Sequence, residues 1–173
     1  MSTRVFSAPG AFLSGIALSL AGCANIAATP PGTPLDQVSA RFGAPTLQCL
    51  NRQGQPRAVW SRQPFGQYAW GADLDGQGRV ESVVPVLTDA HFQILRQGVW
   101  TAEQVRCEFG PPAEIDTVGL PGTRQVVWAY RYRQDQVWNS LMYVFMGADG
   151  RQVTKFHPGP DPRYDRDRGF IPY

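Results

Sequence analysis

The sequence contains little charge and almost no lysine. Charged residues make up 17% of its 173 residues, and 16 basic residues against 14 acidic ones leave a formal net charge of +2. Lys155 is the single lysine. So small a net charge produces no long-range electrostatic field toward phosphate groups, so the composition disfavours a nucleic-acid-binding protein.

Patterns that mark common catalytic sites are missing as well. The sequence has no H-E-x-x-H, C-x-x-C, G-x-S-x-G or glycine-rich phosphate-binding pattern. Its two histidines, His91 and His157, lack the spacing of metal ligands. Cys107 and His91 are a candidate nucleophile–base pair, but no third group is indicated to orient the histidine. We therefore predict a non-enzymatic protein with no cofactor, metal or small-molecule substrate; a thiol or hydrolytic enzyme is the alternative.

The longest apolar segment lies at the N-terminus and is short for a transmembrane helix. Residues 1–22 contain one charge, Arg4, followed by an apolar, small-residue run. This order is typical of a secretory signal peptide. The segment ends in Leu20-Ala21-Gly22-Cys23, which resembles the bacterial lipobox, where signal cleavage leaves a lipidated cysteine at the new N-terminus. We predict a covalent lipid, including palmitate, on Cys23 and a flexible lipidated tether over residues 23–32.

Residue 24 bears on the membrane that holds the anchor. Lipoproteins retained in the inner membrane usually carry Asp after the lipidated cysteine, and this sequence has Ala24. The lipobox resemblance therefore implies a lipid-anchored protein of the outer membrane that faces the periplasm. That oxidising compartment permits a disulfide between the remaining cysteines, Cys49 and Cys107, but the sequence favours two buried apolar thiols.

One eight-residue pattern occurs twice. Residues 38–45 and 105–112 share V-x-x-x-F-G-x-P. Val and Phe four positions apart predict a short helix with one apolar stripe, and the following Gly and Pro end it. Asp75-Gly76 and Asp149-Gly150 are hairpin signals between β-prone runs. Each copy therefore predicts a short helix followed by an antiparallel meander.

The starts of these helices also have local signals. Thr33-Pro34 suggests an N-cap with proline at the first helical position. Thr101 and Gln104 have the spacing of a capping box, and residues 89–96 predict another short helix ended by Gly98. The predicted strands lie near 46–51, 57–62, 66–74, 79–86, 113–118, 124–132, 138–147 and 151–157.

Together these signals predict an α+β fold of two tandem helix–antiparallel-meander repeats, at residues 33–87 and 88–157. The short helices are expected to pack on one face of an antiparallel sheet. In this alignment Trp60 of the first repeat corresponds to Trp128 of the second, and both are expected in the core. The segment 158–173 is rich in Pro, Asp and Arg, and is predicted to be a flexible tail.

Several short stretches of the second repeat match a known family. They are residues 92–105, 109–112 and 128–130, with Phe145 and then Asp149-Gly150. In this order they resemble the SmpA/OmlA (BamE-like) family of outer-membrane lipoproteins, whereas the first repeat is a looser copy. The duplication resembles the β-lactamase-inhibitor-protein (BLIP-like) fold, in which paired helix–meander units join into one concave sheet.

These resemblances imply a binding protein of the bacterial envelope. Its expected partners are envelope proteins, including the β-barrel assembly machinery, in outer-membrane protein assembly or envelope integrity. A periplasmic inhibitor-type protein that binds an enzyme is the alternative binding function.

Aromatic residues are the remaining candidates for a binding surface. Tyr68 and Trp70 lie two positions apart and share one face of a predicted strand, as do Tyr130 and Tyr132. Trp100 lies in a loop before a helix. Because Tyr and Trp are common anchors of protein interfaces, we predict that these five residues contact the partner.

Overall fold

The computed structural model describes residues 25–164. The predicted signal peptide and Cys23 therefore lie outside the described residues, as does segment 165–173. Within residues 25–164, no helix is long and apolar enough to span a membrane.

A helix and four antiparallel strands form the first half of the described chain. Val38 of the helix packs with Trp60 and Leu74 in an apolar core on one face of the sheet. The strands follow one another as a meander in the order β1-β2-β3-β4. The elements are α1 (Leu35–Phe42), β1 (Leu47–Leu50), β2 (Pro56–Ser61), β3 (Ala69–Leu74) and β4 (Val80–Pro85).

The second half repeats this order after an additional short helical segment. Its four strands also form a meander, β5-β6-β7-β8, and a larger core fills the space between the helices and this sheet. The eight predicted strands are present, but two differ in extent: Tyr68 lies before β3 rather than in it, and the last strand covers 155–160 rather than 151–157. The elements are α2 (Asp89–Phe92), a 3₁₀ turn (Gln93–Arg96), α3 (Ala102–Phe109), β5 (Glu114–Val118), β6 (Gln125–Gln134), β7 (Trp138–Phe145) and β8 (Lys155–Pro160).

Helix α3 lies between the two sheets and contacts both. On one side Cys107 is bonded to Cys49 of β1, and α3 packs on β1, β2 and β3. On the other side Phe109 packs in the core of the second sheet, with its ring centroid 5.9 Å from that of Tyr130. The α+β class is confirmed. The expectation of one concave sheet is wrong, because the two sheets form separate hydrogen-bonded ladders on either side of this helix.

Both helices that precede a meander end in the same way. The indole nitrogen of Trp60 donates a 2.9 Å hydrogen bond to the carbonyl of Gly43, and the hydroxyl of Tyr130 donates one of 3.2 Å to the carbonyl of Gly110. Tyr130 thus occupies the position that corresponds to Trp60. The sequence alignment of Trp60 with Trp128 is wrong by two residues, although both tryptophans are buried as predicted.

The two helices begin differently. The capping box is confirmed: the Thr101 hydroxyl accepts from the Gln104 N–H, and the Gln104 side chain accepts from the Thr101 N–H. Helix α1 instead begins at Leu35, and Pro34 occupies the N-cap position without a side-chain hydrogen bond. The predicted Thr33 cap is wrong because the Thr33 hydroxyl donates to the carbonyl of Pro30 at 2.6 Å.

The segment before α1 packs on the domain. Residues 25–32 were expected to be a flexible tether, but Ile26 is buried in the core with Val38. The N–H of Gly32 also donates to the carbonyl of Val80 at 2.7 Å. The tether prediction is therefore wrong for residues 25–32, since one apolar side chain and a backbone hydrogen bond fasten them to the first sheet.

The segment after the second meander is also attached. Strand β8 includes residues 158–160 and pairs with β7. The carboxylate of Asp161 is buried and lies 3.1 Å from Nε of Arg131. The prediction of a flexible tail is therefore wrong for residues 158–164, because a buried guanidinium group on β6 holds this carboxylate.

Candidate functional site

Three of the predicted partner-binding residues belong to the core. Trp100 is 4% exposed, and Tyr130 and Tyr132 are 0% exposed. The ring of Tyr132 lies 5.3 Å from that of Phe92, and its hydroxyl donates to Asp89 at 2.9 Å. The prediction that these three residues form a binding surface is wrong. Tyr130 and Tyr132 lie on the face of the second sheet that the helices cover, and Trp100 is buried in the same core from the loop before α3.

Tyr68 and Trp70 lie nearer the surface. Their rings stack with centroids 6.0 Å apart. Trp70 is half-buried against the first core, whereas Tyr68 is 52% exposed. Of the five predicted residues, Tyr68 is thus the most accessible to a ligand.

Tyr68 belongs to a group of exposed apolar side chains at one end of the molecule. Three segments supply them: the loop 62–68 between β2 and β3, the turn 135–137 with the start of β7, and residues 161–164 after β8. We call this group the loop-end surface. Its members are Phe65, Tyr68, Val137, Trp138 and Tyr164.

Two glutamines of loop 62–68 fix this end to the second sheet. The Gln63 amide donates to the carbonyl of Arg131 at 2.7 Å and accepts from its N–H at 3.2 Å. Gln67 donates to the Asn139 side chain at 3.0 Å. The N–H of Asp161 donates to the carbonyl of Asn139 at 3.1 Å. These hydrogen bonds hold the three segments together and fix the backbone that carries the loop-end surface.

Only Tyr68 of this surface was predicted from the sequence. Phe65 follows a proline in a loop, and Trp138 directly follows the β6–β7 turn. Placement at turns is a local signal for exposure, because loops run over the surface of proteins. Their proximity to Tyr68 depends on the packing of the two sheets and has no local signal.

The outer face of the second sheet forms a further candidate surface. It bears a groove of about 340 Å³ lined by strands and by Pro162. Within residues 25–164 no α-helix packs on this face, and Pro162 belongs to a short 3₁₀ turn, Pro162–Tyr164, at its border. Among the lining side chains are Val118, Val127, Leu141, Tyr143, Phe145 and His157.

Strand β5 borders this groove and is an open edge. All five of its residues are exposed, with Ile115 at 60%. The N–H of Thr117 donates to its neighbour Asp116 at 2.6 Å. The opposite edge strand, β8, contains Pro158 and Pro160, which lack backbone donors. An accessible edge without such protection is a template for pairing with another chain.

The candidate thiol–histidine pair does not form. Cys107 is bonded to Cys49 with a Cα–Cα distance of 5.9 Å, so Cys107 carries no free thiol. His91 instead places Nε2 at 2.6 Å from Oε1 of Glu108. Of the two interpretations of Cys49 and Cys107, the structure contains the disulfide and not two free thiols.

His91 belongs to a buried ionic cluster between α3 and the first sheet. Arg57 is 4% exposed and pairs with Asp73 at 2.8 Å and with Glu108 at 2.7 Å. Because a buried guanidinium group needs compensating charge, the two carboxylates stabilise the arginine between the two halves of the molecule. Among residues 25–164, no group of three or more His, Cys, Asp or Glu side chains has the arrangement of a metal site.

The chain was compared with protein-family models, curated proteins and solved structures, and none of the three comparisons gave a match. The resemblance to the SmpA/OmlA family therefore stays a prediction.

Proposed function

We propose that this chain is a non-enzymatic outer-membrane lipoprotein that binds a protein partner in the periplasm. The observation that carries the binding function is the open edge of β5 beside an apolar groove. The lipobox-like residues 20–23 support the anchor. Envelope proteins, including the β-barrel assembly machinery, are the partners that the family resemblance favours.

The geometry of β5 suits an extended segment of the partner. Such a segment would add as a further strand and satisfy its backbone groups on the exposed edge of β5. Alternate side chains of an added strand point to the same face, so every second residue could enter the groove beside Val118 and Phe145. Backbone pairing would then supply affinity, and the groove would select apolar side chains.

The scaffold in this proposal is a tandem pair of helix–meander units like those of the BLIP-like fold, with two separate sheets. The matching hydrogen bonds of Trp60 to Gly43 and of Tyr130 to Gly110 support a duplicated helix–meander. The two units differ in what covers their sheets. Helix α3 packs on the face of the first sheet that bears Val59, whereas Val38 of α1 packs on the opposite face with Trp60. The groove face of the second sheet is bordered by the 3₁₀ turn Pro162–Tyr164 and has no α-helix among the described residues.

Two substitutions at one position test the binding site. A benzoylphenylalanine placed at position 115 of β5 serves as a photo-crosslinking probe for an extended segment of an envelope protein. Thr117→Pro removes a backbone donor of β5, so we expect it to abolish this crosslinking. Thr117→Val keeps the donor and a β-branched side chain, so crosslinking should persist. Circular dichroism checks that both variants fold. Equal crosslinking by the two variants contradicts strand addition at β5.

A separate substitution tests the anchor. Cys23→Ser removes the sulfur that would carry the lipid, so the variant should lose palmitate labelling and leave the membrane fraction. A labelled, membrane-bound Cys23→Ser protein would show that the lipobox assignment is wrong.

A further inference from the structure

The described chain begins beside the loop-end surface. Asn25 lines a pocket together with Arg62 and Trp70. Arg62 is the first residue of loop 62–68, and its N–H donates to the carbonyl of Tyr68 at 2.9 Å. Trp70 stacks on the ring of Tyr68. The start of the packed chain and the exposed aromatic side chains therefore share one end of the molecule.

Little chain separates this end from the predicted lipid. Cys23 precedes Asn25 by two positions in the sequence. Two residues of fully extended chain reach about 7 Å. Residues 26–32 do not lengthen this tether, because Ile26 is buried in the domain and Gly32 is hydrogen-bonded to the first sheet. An acylated Cys23 would hold the loop end of the domain at the membrane.

The side chains at this end have the chemistry of a membrane interface. Trp138 is 65% exposed and Phe65 is 79% exposed, and Tyr68 lies in the same group. Trp and Tyr side chains concentrate at the headgroup level of bilayers, because one part of each ring system is apolar and another part forms hydrogen bonds.

The charges at this end are mainly positive. Two arginines lie in these segments, Arg62 and Arg163, and Arg133 lies two residues before the 135–137 turn. Guanidinium groups pair well with phosphate. Against these three arginines stand the exposed Asp135 and the half-buried Asp89, which accepts from the Asp135 N–H at 2.7 Å, since Asp161 is buried against Arg131. This balance complements phospholipid headgroups.

We propose that the loop-end surface lies in the interfacial region of the phospholipid bilayer. The inference rests on the lipid anchor of the proposed function. It adds an orientation: Phe65, Tyr68 and Trp138 contact lipid, whereas the loop 119–124 at the opposite end of the second sheet points into the periplasm. The groove and β5 then remain accessible to a partner.

Tryptophan fluorescence tests this orientation in the full, acylated protein. The protein is reconstituted into vesicles of phosphatidylcholine with brominated acyl chains, and bromine quenches indoles at the membrane. We expect the emission that depends on Trp138 to fall by about half or more, because interfacial tryptophans lie within reach of the upper acyl chains. Trp138→Phe identifies that component by subtraction. A matched control is Leu120→Trp in the Trp138→Phe background, since Leu120 is 77% exposed at the opposite end.

The outcomes separate the two proposals. Selective quenching of Trp138, with Leu120→Trp unquenched, supports the orientation. Mass spectrometry of the same sample reports the lipid on Cys23, and its absence overturns the anchor together with this inference. An acylated, vesicle-bound protein whose Trp138 emission is quenched no more than that of Leu120→Trp overturns the orientation alone. In that case the loop-end surface faces water or a protein.

Discussion

Tyr130 and Tyr132 each place a hydroxyl group inside the core of the second unit. Burial raises the pKa of Tyr130 far above its ordinary value, and the nearby charge of Arg106 lowers it only in part. Burial also raises the pKa of Tyr132, and the hydrogen bond to Asp89 and the negative charges of Asp89 and Asp135 raise it further. Both phenols are therefore held neutral in the folded protein under conditions in which unfolded tyrosines ionise.

This difference predicts a loss of stability at alkaline pH. Below about pH 10 both states keep their phenolic protons, and the stability contribution is fully present. Above it the unfolded state releases protons that the folded state retains, so the free energy of unfolding falls by about 1.4 kcal/mol per pH unit for each tyrosine. Urea unfolding across this range measures the slope. Tyr132→Phe should remove the share of the slope that Tyr132 contributes.

An unchanged slope in both Tyr130→Phe and Tyr132→Phe would show that these phenols do not control alkaline unfolding. At neutral pH, Tyr130→Phe should cost about 1 kcal/mol, the value of one hydrogen bond to the Gly110 carbonyl.

At the scale of secondary-structure elements, the helix ends depend on two glycines. Gly43 follows α1 with φ of 89° and Gly110 follows α3 with φ of 83°, and both have extended ψ values. This backbone region is essentially restricted to glycine. The helix ends predicted from the Gly-x-Pro pattern are confirmed, and the positive φ with extended ψ directs the chain away from each helix.

The two positions form a matched experiment. Gly43→Ala should cost about 2 kcal/mol from backbone strain alone, since no atom lies within 4 Å of the added Cβ. At Gly110 the added Cβ would meet Val59 at 3.2 Å and Ser61 at 3.3 Å, so Gly110→Ala should cost about 1 kcal/mol more. Chemical denaturation measures both values. Equal losses of unfolding free energy in the two variants would show that Val59 and Ser61 move away from the added methyl group without destabilising the protein.

Many of the helix and strand boundaries were predictable from the sequence, because the residues that determine them are neighbours along the chain. The capping box at Thr101 and the Gly-Pro helix ends lie within a few residues of the elements they define. The covered face of β6 was not predictable, since alternating Tyr and Arg residues fit either orientation. The burial of Arg131 has no local signal, because the carboxylate that permits it, Asp161, comes from a segment whose composition predicts a flexible tail.

At the scale of the whole molecule, the disulfide joins the two units. It links β1 to α3 across a sequence separation of 58 residues. Closing a loop of this length restricts the unfolded chain and stabilises the folded state by about 4 kcal/mol. Cys49→Ser with Cys107→Ser should lower the free energy of unfolding by that amount, as measured by urea denaturation. A loss below about 1 kcal/mol would contradict this account and assign the stability to the packing around α3.

The same bond determines how the molecule would carry tension. In the proposed arrangement the lipid holds residues near Asn25 on the first sheet, and the partner pulls on β5 of the second sheet. A force between them crosses from one sheet to the other through α3 and through the hydrogen bonds of Gln63 and Gln67 to the second sheet. Because Cys49 and Cys107 connect β1 to α3 covalently, that crossing does not rely on side-chain packing alone. A moving partner could then pull against the membrane without separating the first sheet from α3, and single-molecule stretching should show this junction yielding at lower force after reduction.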